Sequence, residues 1–137
     1  MSNNENAIEQ EIQDKGLTAP RLTPALIDAS IDSEIYFTAD EGFAGAECAG
    51  NGAAQVISID NAPATALMSL TFCVLVLKNG FTVTGESACA SPENFNAEIG
   101  RKIARENARN KIWMLEGYLL KQRLFETQNC TPIANFG

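Results

Sequence analysis

The sequence predicts an α+β fold in which a small antiparallel sheet packs on one long C-terminal helix and a short N-terminal helix. The sheet is predicted from residues 67–87, which are β-branched and aromatic on both sides of Asn79-Gly80, a dipeptide that favours a type I′ hairpin turn. The long helix is predicted from residues 91–126, where apolar residues recur every three or four positions. Because an isolated hairpin is marginally stable in water, we expect the helix to cover one of its faces.

The N-terminal part of the chain changes from a polar run to helix and strand signals. Residues 1–20 are polar and acidic, so we expect a flexible tail, or a weak helix around residues 8–12. Thr23-Pro24 predicts the start of a short helix that ends near residue 33, because threonine caps helices and proline suits the first helical position. Residues 35–38 follow as a first strand.

The domain organisation predicted from the sequence is an acidic tail followed by one domain. A chain of 137 residues with 45% hydrophobic content supports a single core. Residues 21–137 are therefore expected to form one α+β domain. Within it, residues 40–63 are rich in glycine and alanine, which predicts an irregular insertion with one strand at residues 56–59.

The long helix has clear start signals and an apolar side. Ser91 is a good helix cap, and Pro92 suits the first turn. The apolar stripe predicted to face the core consists of Phe95, Ile99, Ile103, Ala108, Ile112, Leu115 and Leu119. At 1.5 Å per residue the helix is about 50 Å long, more than a domain of this size can cover. We therefore expect a homo-oligomer, a dimer or higher.

A second stripe on the helix is cationic. Arg101, Arg105 and Arg109 follow one another at four-residue steps, with Lys102 and Lys111 beside them. Stacked guanidinium groups repel one another unless an anion lies between them, so a solvated helix face and an anion-binding ridge both remain open. The net charge of −7 disfavours binding to long nucleic acids, yet a basic ridge on an acidic protein accepts a small anion.

The composition argues against several classes of protein. Histidine is absent, and no Cys-x-x-Cys pair occurs among Cys48, Cys73, Cys89 and Cys130. We therefore expect no metal site and no cofactor. Without histidine there is no ordinary serine or cysteine relay, so we expect a protein that is not an enzyme. No run reaches the roughly 18 apolar residues of a membrane span, so we expect a cytosolic protein without a membrane partner.

Three motifs carry a resemblance to a known family. They are LKNGFTVTGESAC at residues 77–89, NFNAEIGRKIARENAR at residues 94–109, and KIWMLEGYLL at residues 111–120. Together they resemble a widespread family of small tailed-phage (podophage) proteins, and the resemblance covers residues 23–124. That family in turn resembles the first-described Thoeris anti-defence (Tad) proteins, which act as sponges. The insertion at residues 40–63 departs from the compact members of the family.

The resemblance implies a function and a site. A sponge of this type binds cyclic ADP-ribose signals, and in some members cyclic oligonucleotides, without cleaving them, and it acts in the host cytoplasm. The implied ligand-binding residues are Arg101, Arg105 and Arg109 for phosphates and Phe95 for a base. From the sequence alone Phe95 also fits a core position.

Two other functions remain open. The first is a phage structural protein or a protein that binds a host protein, with the large apolar side chains of Trp113, Tyr118 and Leu120 as anchors. The second and less favoured one is an enzyme that processes nucleotides.

Overall fold

The computed structural model describes residues 3–17, 19–52, 55 and 64–129. Its helices are α1 (Asn3–Asp14), α2 (Pro24–Ala29), α3 (Ala39–Ala49), α4 (Ala64–Met68) and α5 (Ala97–Asn129). Its strands are β1 (Ile31–Thr38), β2 (Leu70–Leu77) and β3 (Thr82–Ala88), and a 3₁₀ turn occupies Pro92–Asn94. The predicted α+β class, with a small antiparallel sheet and a long C-terminal helix, is confirmed, and the sheet has three strands.

The chain divides into two compact units. One contains residues 3–30 and 110–129, and the other is Ile31–Arg109, which holds the whole sheet. Within the described ranges no helix is both long enough and apolar enough to cross a membrane.

The sheet has β2 at its centre and one buried face. Its strands lie in the order β1-β2-β3, and both neighbours run antiparallel to β2. Alternate residues of β2 are buried, among them Cys73 and Leu75, and they lie directly opposite the buried residues Gly85 and Val83 of β3. This alternation is typical of a sheet with one face on the core. The outer face of β2 is half-buried.

The hairpin between β2 and β3 is confirmed, but its predicted turn type was wrong. The Leu77 N–H donates to the Phe81 carbonyl (2.8 Å), and the Gly80 N–H donates to the Leu77 carbonyl (2.8 Å). The loop therefore has three residues, 78–80, instead of two. Gly80 takes the positive φ (88°) that ends such a loop, and the Asn79 side chain accepts from the Phe81 N–H (3.0 Å).

Helix α5 packs on the sheet through its smallest residues. Ala104 and Ala108 are fully buried and Gly100 is also buried, whereas Ile99 and Ile103 are 55% and 47% exposed. The first part of the predicted apolar stripe was therefore wrong. The physical reason is the short distance between the backbones of α5 and the sheet at Gly85.

Gly85 of β3 lies against the backbone of α5. A Cβ atom on Gly85 would come within 2.3 Å of the Ala104 carbonyl oxygen and of the Ala108 nitrogen. The helix and strand backbones thus meet without a side chain between them. At so short a distance only glycine or alanine fits on the side of α5 that faces the sheet. Ile99 and Ile103 therefore lie on an exposed side of the helix.

The stretch predicted as an irregular insertion contains α3. Its start is a capping box, since the Glu41 carboxylate accepts from the Thr38 N–H (2.9 Å) and hydroxyl (2.8 Å). Its end is Gly50 with φ of 64°. The Thr-x-x-Glu pattern was the sequence signal for this helix. The strand predicted at residues 56–59 lies outside the described residues.

The other unit contains α1, which is longer than the weak helix expected around residues 8–12. Arg21 donates two hydrogen bonds to the Glu9 carboxylate (2.6 and 2.8 Å), which fixes the loop after α1 to the helix. Hydrogen bonds from Arg21 and Gln13 lower the pKa of Glu9 to about 2. The ion pair therefore persists in mild acid and is lost only as the pH falls toward that value.

The predicted boundaries of α2, β1 and α5 shift in the structure. Helix α2 begins at Pro24 with Thr23 as its cap, as predicted, but ends at Ala29 because β1 already begins at Ile31. Helix α5 begins at Ala97 instead of residue 91. A 3₁₀ turn takes up residues 92–94, and the Asn96 side chain then caps the helix by accepting from the Ile99 N–H (3.0 Å).

The contact at Gly85 predicts the effect of adding one methyl group. Gly85→Ala should lower the free energy of unfolding by about 3 kcal/mol or more, because the methyl would overlap helix backbone that cannot move aside. Gly45→Ala is the matched control, because a Cβ atom there meets nothing within 4 Å and the residue lies inside α3. The control should gain about 0.5–1 kcal/mol. Urea unfolding measures both, and equal stabilities would contradict the close contact.

Candidate functional site

A cavity of about 250 Å³ lies inside the Ile31–Arg109 unit. It forms where the end of β1, the start of β2, and the first turns of α3 and α5 come together. Its lining includes Tyr36, Thr38, Glu41, Thr71, Ala97 and Arg101. Four secondary-structure elements thus contribute to one concave surface, which is the usual form of a small-molecule site.

Arg101 supplies the positive charge of this cavity. It is exposed, and within the described part of the chain no carboxylate lies within ion-pairing distance of it. Its neighbour Lys102 differs, because it pairs with Glu98 (3.3 Å) one turn earlier. The guanidinium of Arg101 can therefore donate to an incoming anion without breaking an ion pair.

Glu41 supplies a negative charge to the same cavity. The backbone N–H and the hydroxyl of Thr38 donate to its carboxylate and lower its pKa, with a further small effect from the positive charge of Arg101. Glu41 is therefore ionised at neutral pH, and its free lone pairs can accept hydrogen bonds from hydroxyl groups.

Thr71 contributes a buried hydroxyl to the cavity. The residue is 2% exposed, and its Oγ1 atom has no hydrogen-bond partner in the part of the chain that the structure describes. Helix α5 passes close above it, since a Cβ atom on Gly100 would lie 2.9 Å from this oxygen. A buried hydroxyl without a partner costs about 1–3 kcal/mol. A polar molecule in the cavity could remove that cost.

Tyr36 forms a desolvated part of the cavity wall. Burial, followed by the neighbouring Cys73 and Glu34 groups, raises the pKa of Tyr36 to about 12. Its side chain is hydrogen-bonded to Cys73, the residue directly opposite it on β2. Burial likewise raises the pKa of the Cys73 thiol. Both groups therefore stay neutral at physiological pH.

The structure does not place the three predicted arginines on one exposed ridge. Arg101 is exposed, Arg105 is partly buried and forms an ion pair with Glu34, and Arg109 is completely buried. Arg109 also has interaction partners of its own. Four-residue spacing identifies one side of a helix but does not tell what covers it, which is why the ridge was mispredicted.

Phe95 lies in a different place from Arg101. It is half-buried and lines a smaller groove of about 120 Å³ with Ile99, Ile103 and Ser87. Of the four predicted site residues, only Arg101 lines the 250 Å³ cavity.

Sequence reasoning missed Glu41, Thr71 and Tyr36. The Thr-x-x-Glu pattern could have located Glu41 at the start of α3. Thr71 and Tyr36 carried no comparable signal, because their roles follow from burial and from the path of α5. Among the residues that the structure describes, no cluster of three or more metal-ligating side chains occurs.

The three residues proposed as anchors for a protein partner also differ in burial. Tyr118 is exposed, whereas Trp113 and Leu120 are half-buried. Trp113 lines a cavity of about 330 Å³ with Ile8, Leu22 and Pro24 in the unit that contains α1.

Comparison with known protein families gives a match over most of the chain. The model of the phage protein (N4 Gp49/phage Sf6 gene 66) family matches residues 22–124 of the chain. Neither a curated protein nor a solved structure matches it.

The different burial of Arg109 and Arg101 predicts that the same substitution destabilises the protein at one position and not at the other. Arg109→Met should lower the free energy of unfolding by about 3–5 kcal/mol, because it removes a completely buried guanidinium from the groups with which it interacts. Arg101→Met should change it by less than about 0.5 kcal/mol, because that side chain is exposed. Chemical denaturation measures both variants, and similar losses would contradict the assigned burial.

The environment of Tyr36 predicts its titration. Its tyrosinate absorbance should appear near pH 12 instead of near pH 10, and the difference between wild type and Tyr36→Phe isolates this signal from Tyr118. Since the folded protein keeps the proton that the unfolded chain loses, the stabilising effect is complete below about pH 10 and is lost as the pH rises toward 12. Titration of Tyr36 near pH 10 would show that this wall is solvated.

Proposed function

The chain belongs to the phage protein (N4 Gp49/phage Sf6 gene 66) family, and from this premise we propose that it is an anti-defence sponge that sequesters a cyclic nucleotide immune signal. The proposed ligand is an isomer of cyclic ADP-ribose or a small cyclic oligonucleotide, bound in the host cytoplasm and released unaltered. One observation carries the proposal. The guanidinium of Arg101, which forms no ion pair with a described residue, and the buried Thr71 hydroxyl, which has no hydrogen-bond partner among those residues, line the same cavity.

The polar groups of the cavity match the parts of a nucleotide. Arg101 would donate to a phosphate, since a guanidinium presents paired donors to its oxygens. Glu41 would accept from ribose hydroxyls, as acidic side chains do in dinucleotide sites. Thr71 would supply a third polar contact deep in the cavity. Arg105 already neutralises Glu34, and Phe95 lies in the smaller groove, so the phosphate contact rests on Arg101.

The cavity of one subunit is small for the proposed ligand. Its 250 Å³ is below the range of about 300–1,000 Å³ typical of pockets that enclose a ligand of this class. We infer that one subunit encloses part of the ligand and that a second copy covers the rest. A homo-oligomer with shared sites would also explain how a single guanidinium per cavity suffices for a ligand with several phosphates.

The same groups favour binding over cleavage. The sequence contains no histidine, and a single carboxylate, that of Glu41, occurs among the described lining residues of the cavity. The pKa of that carboxylate is lowered by the Thr38 cap, which makes Glu41 a weak base. General acid and base catalysis needs two groups with separated pKa values.

Calorimetry with a panel of cyclic ADP-ribose isomers and cyclic di- and trinucleotides tests the proposal. Arg101→Ala should weaken the binding of the recognised ligand by about 2 kcal/mol, roughly 30-fold, with little loss of stability. Lys102→Ala is the matched control, because Lys102 is an exposed neighbour that pairs with Glu98. It should bind like the wild type, and equal losses in the two variants would indicate only a general charge effect.

Thr71→Val separates a binding role from a packing role. Valine has nearly the same shape but no hydroxyl, so the unliganded variant should gain up to about 1 kcal/mol in stability. The same variant should bind the ligand more weakly. A stabilised variant with unchanged affinity would place the ligand elsewhere.

Two outcomes of the panel would overturn the proposed function. Recovery of a cleaved ligand after heat denaturation would indicate an enzyme. Absence of binding to every cyclic nucleotide would favour a protein that acts through protein contacts, an alternative that the exposure of Tyr118 supports.

A further inference from the structure

The C-terminal half of α5 exposes large apolar side chains to solvent. Met114, Tyr118 and Phe125 are 81%, 72% and 54% exposed. They are separated by four and seven residues, so they lie along one line of the helix. Isolated exposed apolar residues are ordinary on a protein surface, but a continuous line of them marks an interaction site.

These residues belong to a longer exposed stripe with regular spacing. We name it the outer stripe, and its members are Lys111, Met114, Tyr118, Lys121, Phe125 and Gln128, all exposed. The steps along it are three, four, three, four and three residues, which is the spacing of a coiled-coil seam. On the opposite side of the helix Ile112 is fully buried, and Glu116 and Leu120 are half-buried. The outer stripe therefore faces away from the core of its own unit.

We propose that the outer stripe is the interface of a homodimer in which the α5 helices of two copies pair antiparallel. In such a pair the layers of one seam face those of the other in reverse order. Met114 then meets Phe125 of the second copy, Tyr118 meets Lys121 of the second copy, and Lys111 meets Gln128 of the second copy. Each residue has its match within the same stripe, which a two-fold symmetric interface requires.

The chemistry of the matched pairs supports this arrangement. A thioether packs well against an aromatic ring, as Met114 would against Phe125. An ammonium group is attracted to the face of an aromatic ring, as Lys121 would be to Tyr118. In a parallel pair, by contrast, Lys111 would face Lys111 of the second copy and Lys121 would face Lys121 of the second copy, so like charges would meet in the seam. The charges thus select the antiparallel pair.

The self-matching pattern also favours a second copy over another protein. A surface for a different partner has no reason to contain, in reverse order, the complement of its own residues. The inference does not depend on the proposed ligand, because every residue of the outer stripe lies between positions 111 and 128 and none of them lines the 250 Å³ cavity.

Analytical ultracentrifugation at micromolar concentration tests the interface. The wild type should sediment with at least twice the 14.7 kDa mass of one chain. Tyr118→Lys should weaken the dimer at least about tenfold, because the introduced lysine faces Lys121 of the second copy. Arg123→Glu is the control, because this exposed residue lies outside the outer stripe, and it should leave the dimer intact.

A charge reversal then tests the antiparallel order. Lys121→Glu combined with Tyr118→Lys should restore the dimer, because each introduced lysine would face an introduced glutamate of the second copy. In a parallel pair the same double variant would bring like charges together and would stay dissociated. Helix content by circular dichroism shows whether each variant remains folded.

Three results would overturn the inference. A wild type that sediments as a monomer would mean that the outer stripe does not join two copies, and a host protein bound there would then take the place of the second copy. A dimer unaffected by Tyr118→Lys would use another surface. Failure of the double variant to restore the dimer, with its helix content intact, would exclude the antiparallel order.

Discussion

The close contact between Gly85 and the backbone of α5 is the constraint on which the rest of the Ile31–Arg109 unit depends. Because strand and helix meet there without an intervening side chain, the helix must present Ala104 and Ala108 to the sheet. One turn earlier the same helix side brings Gly100 over the Thr71 hydroxyl. The cavity beside Arg101 is therefore a consequence of how closely the helix lies on the sheet. Larger residues at these positions would overlap with backbone atoms and disrupt the packing that forms the cavity wall.

The elements that follow from the hydrophobic periodicity of the sequence were predictable. The contacts that follow from the distance between the helix and sheet backbones were not. The alternating pattern of β2 and β3 and the long run of α5 predicted the hairpin and the helix. The buried side of α5 was mispredicted only in its first turns, because a hydrophobicity pattern ranks Ile99 and Ile103 above glycine and alanine. Further along the helix, Ala108 and Ile112 of the predicted stripe are buried. A close contact reverses that ranking, since it selects for size before hydrophobicity. The signal for it was present as Gly100, Ala104 and Ala108 at four-residue steps.

The residues of the candidate site also differ in whether the sequence could predict them. Arg101 was predictable as a cation on the helix surface, but only the structure shows that its charge, unlike that of Arg105, has no carboxylate partner within the described residues. Thr71 looked like an ordinary strand residue, because an unpartnered hydroxyl is a property of the packed state. Recognition of an anion requires a cation that the fold itself has not already neutralised. That condition, together with a place on the cavity wall, distinguishes Arg101 from the other basic residues of the helix.

The two halves of α5 use their apolar residues in opposite ways. Toward its start the helix buries small residues and leaves Ile99 and Ile103 exposed, because the sheet lies too close for them. Toward its end it leaves Met114 and Tyr118 more exposed than either isoleucine. Neither set is explained by the core of a single copy, and exposed apolar area of this kind is costly unless something covers it. We therefore propose that this part of the helix is a surface shared between molecules. The regular spacing of the outer stripe and the pairing of its charges support a second copy as the molecule that shares it.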